Sequence, residues 1–145
     1  IIGPDYRSKF CYTIASQSDQ SPLRFNLRKS RLGLLLFEHE KENNYPKLLE
    51  RFNQSLDATS RASKQILGLI DGNVRRNRFS ALEELSKIFP EIDLGPLKRI
   101  KKLYTNLEEL DNLYQNSTDL LVVWNESVTF FENLIKSYLE LKVIN

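Results

Sequence analysis

Among the 145 residues, Cys11 and His39 are each the only one of their type. Together they are the arithmetic minimum for a thiol–imidazole nucleophile pair. A zinc site takes about four soft ligands, or three and a water, which two candidates cannot supply. His39 lies in Phe37-Glu38-His39-Glu40, among acids, and reads as the surface of a charged helix end. The Glu-x-x-His metal motif of some helical bundles fails, because Leu36 stands three before His39. There is no Gly-rich phosphate loop and no dinucleotide fingerprint. Reactive groups do not converge, so the sequence predicts no enzyme, no catalytic residue, no metal, no cofactor and no small-molecule substrate.

Charged clusters offer the other chemistry. Arg75, Arg76 and Arg78 follow Gly72, and Lys98, Arg99, Lys101 and Lys102 follow Pro96. If the short segment between them is a hairpin-like connection, the two clusters share a face and could hold the phosphates of a nucleic acid. The competing expectation is that these bases pair with Glu108, Glu109, Asp111 and Glu132. Arg28-Lys29-Ser30, with Arg24 and Arg31 nearby, has the form of a basophilic kinase target, so Ser30 is a candidate phosphosite.

The hydrophobic fraction of 41% and charged fraction of 28% are ordinary for a globular domain. No uninterrupted apolar run approaches the roughly 18 residues of a membrane span. A single cysteine leans towards a reducing compartment. With no Met, and Ile1 at the start, the chain reads as a domain fragment of a larger intracellular protein, in cytoplasm or nucleus. The net charge of +2 is segmental. Residues 1–37 and 73–102 each carry +4, residues 38–72 carry −1, and residues 103–145 carry −5.

The elements that must position these groups are helical. Residues 1–20 lack a sustained period and read as an irregular or extended arm, followed by one helical-bundle domain over 21–145. Ser21-Pro22 suits a helix start, and the first helix is expected from Pro22 to about Glu42, with Gly33 a weak point. Tyr45, Leu49, Phe52, Leu56, Thr59, Ser63, Ile66 and Ile70 alternate steps of four and three, which predicts a coiled-coil-like helix ending at Gly72. Ser80-x-x-Glu83 fits a capping box ahead of a short helix to Phe89. Pro96 opens a helix lined by Leu97, Ile100, Leu103, Leu107, Leu110 and Tyr114. The last helix, Ser117–Val143, carries Leu120, Trp124, Phe131, Leu134, Tyr138 and Leu141 on one stripe, widened by Leu121, Val128, Phe130 and Ile135. It is the most apolar and is expected to be central, with Trp124 against the small seam residues Thr59–Ser63.

The predicted fold is thus all-α: an antiparallel helical bundle of about four long helices and one short one. Continuous apolar faces without catalytic groups point to a non-catalytic protein–protein interaction or scaffold module that docks a partner or self-associates. The alternative is a nucleic-acid-associated module acting through 75–78 and 98–102.

Overall fold

The computed structural model describes residues 11–77 and 79–144, with side chains from 22 to 77 and from 79 to 141. The regular elements of this part are all α-helices: α1 (Cys11–Leu35), α2 (Phe37–Asn43), α3 (Tyr45–Asp71), α4 (Ala81–Ile88), α5 (Gly95–Thr105), α6 (Leu107–Tyr114) and α7 (Ser117–Ile144). The all-α class expected from the periodicity is what the chain adopts. The inventory differs from the expectation: α1, α3 and α7 have 25, 27 and 28 residues, and α2, α4, α5 and α6 are short.

Two expected helices are divided. At Leu36 (φ −88°, ψ −2°) the chain turns between α1 and α2. Leu36 N–H still donates to Leu32 and Glu40 N–H to Leu36, so the helix bends here without losing its ladder. At Asn106 (φ −135°, ψ 90°) the break is complete. The Asn106 side chain accepts from Glu109 N–H and starts α6, with Glu108 and Glu109 at the positive end of its dipole. An asparagine cap thus overrides an apolar period that runs unbroken from Leu97 to Tyr114.

The N-terminal arm requires correction over residues 11–20, which belong to α1; residues 1–10 lie outside the described part. Pro22 stands inside the helix, not at its start. An interior proline costs about 3 kcal/mol through its missing N–H and ring clash. Burial of Leu23 and Leu27 immediately beyond it works in the opposite direction. The Ser80 capping box does not form. The Ser80 hydroxyl donates to the Asn77 carbonyl, and α4 begins without a side-chain cap. Other punctuation acts as the residues suggest. Asn44 caps α3, Gly72 ends it at φ 77°, and Asn116 accepts from Asp119 N–H at the start of α7.

The α3 helix packs on α1, α2, α4, α5 and α7, and α7 packs on α1, α3, α5 and α6 and meets α2 through Trp124 and Phe37. The core is thus built around α3 and α7 together, with Leu120, Trp124, Phe131 and Leu134 of α7 fully buried. Ala58, Thr59, Ser60, Ala62 and Ser63 are all buried in α3, and their small size lets helices approach it from several sides. Thr59 and Ser63 donate their hydroxyls to the carbonyls four residues back, so they enter the core without orphaned donors.

Trp124 finds its seat elsewhere. A Cβ on Gly33 would overlap the indole Cζ2 and stand 2.8 Å from Cη2. The ring meets Phe37 and Phe52 edge-on, with centroids 5.9 and 5.8 Å away. Its Nε1–H donates to the Ser30 carbonyl at 3.2 Å. Thr59 lies two helical turns beyond Phe52 along α3. The glycine that weakens α1 as an isolated helix is therefore the notch that admits the largest core side chain.

Gly33→Ala should destabilise the protein by about 1–2 kcal/mol in urea unfolding, the overlap with Trp124 outweighing a propensity gain of about 1 kcal/mol. Trp124→Ala should cost about 3–5 kcal/mol through the cavity it leaves. The double variant should lose less than the sum, because the methyl group added at position 33 occupies vacated space. Strict additivity would show that the indole does not hold Gly33 in place.

Candidate functional site

Position 75 decides how much of the basic loop is available. Arg75 follows the C-terminus of α3 and faces α4. Its Nη1 donates to Asp71 and to the Asn73 carbonyl, its Nη2 to Asp71 and Glu84, and its Nε to Glu84. All five guanidinium protons are thereby used within the protein. The Arg75 hydrogen bonds hold the Asp71 carboxyl well below the usual carboxylate range, with a contribution from the Asn73 backbone. They lower Glu84 as well, and the two carboxylates raise Arg75 in return. Arg75 is a clasp between α3 and α4 with no donor left for a phosphate.

The other bases differ from it. Arg76 is exposed and shares a shallow depression with Asp57, Asn77, Phe79 and Tyr104. The Phe79 and Tyr104 rings, 5.7 Å apart, join this loop to α5. Arg78 lies outside the described residues. On α5, Lys102 reaches Glu109 at 3.6 Å, whereas Lys98, Arg99 and Lys101 are exposed with no acidic partner among the described residues. Of the acids expected to neutralise the cluster, Glu109 takes that part; Glu132 pairs with Arg31. The structure thus brings Arg76 near the C-terminal half of α5 and leaves Lys98 and Arg99 about 8–9 Å further along the helix, at about 1.5 Å per residue.

Ser30 is not offered to a kinase. It is 4% exposed, and its hydroxyl accepts from Ser55 Oγ at 2.9 Å. Adding a phosphoryl group there requires α1 to leave α3. Cys11 and His39 do not meet either. Cys11 opens α1, whose 25 residues span about 37 Å, and His39 lies past the far end. His39 is exposed, with Asn43 Nδ2 at 3.3 Å from its Nδ1. Among the described residues no three His, Cys, Asp or Glu side chains are grouped to hold a metal ion, and no helix is long and apolar enough to cross a membrane.

A feature the periodicity did not single out is the outward face of α1. Leu23, Leu27, Leu34 and Phe37 point inward or sit against the core. On the opposite side Phe25, Leu32 and Leu35 are 59%, 46% and 82% exposed, with Arg28 and Lys29 exposed between them. The seven-residue step from Phe25 to Leu32 was its available signal, obscured by the stronger inward stripe on the same segment. Comparison with protein-family models, curated proteins and solved structures returns no match.

The Arg75 clasp predicts a pH signature. Asp71 and Glu84 are lowered from ordinary values of 3.8 and 4.5. Their contribution is complete above those values and fades as pH falls through and below them, because the unfolded chain then binds more protons than the folded one. Arg75→Ala should flatten the loss of stability between about pH 4.5 and 2 in acid titrations of urea unfolding. An unchanged slope would show that Arg75 does not depress the two carboxyls.

Proposed function

We propose that this chain is a non-catalytic helical interaction module of a larger intracellular protein, docking a partner helix or a second copy through the outward face of α1. The observation that carries this reading is the exposure of Phe25, Leu32 and Leu35 on one side of a helix whose other side is built into the core. Large apolar side chains grouped on one face mark association surfaces more often than scattered ones do. Arg28 and Lys29 between them favour a partner with acidic residues around its own apolar stripe. A second copy would meet this face with a different, acidic surface, because the same charges oppose its pairing with itself.

The nucleic-acid alternative retains Arg76, Lys98, Arg99 and Lys101 and loses the donors of Arg75. Its support is the exposure of those four bases, with Arg76 beside Tyr104, whose ring offers a stacking surface.

Replacing Phe25, Leu32 and Leu35 together with Ser should shift folding stability by no more than about 0.5 kcal/mol per site, as for exposed positions generally. The variant should lose concentration-dependent association in sedimentation velocity, or retention of the partner by the parent protein. A strictly monomeric wild type with unaltered partner retention in the variant removes the interaction reading. For the alternative, replacing Lys98, Arg99 and Lys101 with Glu should lower the salt dependence of oligonucleotide binding by about one for each phosphate no longer engaged. Binding that is absent from the wild type, or insensitive to salt, eliminates that reading.

A further inference from the structure

We propose that the cleft between α1 and α3 binds a phosphate group, either the free ion or the monoester of a small molecule, and ties the two helices together through it. The cleft has a volume of about 150 Å³ and is lined on the α1 side by Asn26, Lys29 and Ser30, with Arg51, Ser55 and Arg61 facing them from α3. A water molecule's share of liquid volume is about 30 Å³, so the cleft has room for a tetrahedral oxyanion. It shares Lys29 with the outward face of α1, whereas Ser55 and Arg61 on α3 belong to the cleft alone.

Three cations and one acid, Asp57, line the cleft. Asp57 pairs with Arg61 at 2.8 Å. Arg51 directs its Nε to Glu40 at 2.8 Å, and its Nη groups donate to no other described residue. Lys29 has no acidic partner among the described residues. Counted with Glu40, three cations stand against two acids, and the excess positive charge is that of Lys29, which favours an anion.

The floor supplies the second observation. Ser30 and Ser55 carry two hydroxyl protons between them and use one in their mutual hydrogen bond at 2.9 Å. The remaining proton has no acceptor among the described residues, although both serines are buried. An oxyanion in the cleft accepts that proton and bonds of the charge-assisted kind from Lys29 and Arg51. Phosphate, with oxygens in several directions, suits donors converging from two helices better than a planar carboxylate does. The bases that give Arg28-Lys29-Ser30 the form of a kinase target acquire a different role here: Ser30 receives a phosphate without becoming esterified.

The test is thermal unfolding and isothermal titration of the complete 145-residue chain with sodium phosphate, against sodium chloride at matched ionic strength. Phosphate should bind saturably and raise Tm by about 4 °C at roughly ten times its Kd. Lys29→Ala with Arg61→Ala should weaken binding at least about tenfold. Both side chains are partly or largely exposed, so this variant should fold. Arg51 is left intact, because its loss strands the buried Glu40 carboxylate. Ser30→Ala, which removes the hydroxyl proton offered to the oxyanion, should weaken phosphate binding without changing the response to chloride. Glycerol 3-phosphate forms the second arm: saturable binding assigns the site to monoesters, and binding of inorganic phosphate alone assigns it to the free ion. A Tm rise reproduced by chloride, a phosphate response unaltered in the Lys29/Arg61 variant, or no saturable binding of either probe overturns the proposal.

Discussion

The contact between Trp124 and Gly33 is the constraint from which the packing of the long helices follows. One side chain on α7 fixes the axial position of α1 through a notch only glycine provides, then fills the space between Phe37 on α2 and Phe52 on α3. The indole N–H on the Ser30 carbonyl leaves no polar atom of the ring orphaned. Moving α1 by one residue would set Leu32 or Leu34 against the indole instead of the notch and separate Arg31 from Glu132. Steric fit, hydrogen bond and ion pair therefore specify the same register. Agreement of this kind across independent interactions favours a single arrangement over near alternatives.

Much of the fold was legible where a strong period coincided with a cap. The α3 helix has both, and its end at Gly72 follows from a left-handed conformation that glycine adopts without strain. The start of α7 was also near to hand, although the capping side chain is Asn116 and not Ser117 or Thr118. The misses share a cause. Pro22 and Ser80 are strong local signals, but each contributes only about 1–3 kcal/mol, an amount tertiary packing can override. Asn106 is the converse case, a weak local signal that acts because its cap and the acids after it agree. For the candidate site, residue type was readable and availability was not. Asp71, four residues before Arg75, hinted at the clasp, but Glu84 joins it only when α4 folds back. Burial of Ser30 depends on α3, whose approach no local triplet can reveal.

The interior is more polar than the apolar stripes suggest. Ser55, Thr59, Ser60, Ser63 and Ser127 lie in the core, and their hydroxyls donate to backbone carbonyls or to another serine. Such residues bring little apolar area, but their small volume lets helices approach closely around α3. The Glu40–Arg51 pair extends this polar strip from α3 to α2, the guanidinium offsetting the cost of burying the Glu40 carboxylate.

Trp124 is the only tryptophan in the chain, and it is buried at the point where α1 meets α7. Its fluorescence is therefore a local gauge and not an average over the molecule. Separation of α1 alone would wet the indole and remove its bond to Ser30, while most backbone helicity would persist. Emission and helical circular dichroism followed side by side would consequently distinguish detachment of one helix from collapse of the whole bundle, without any added label.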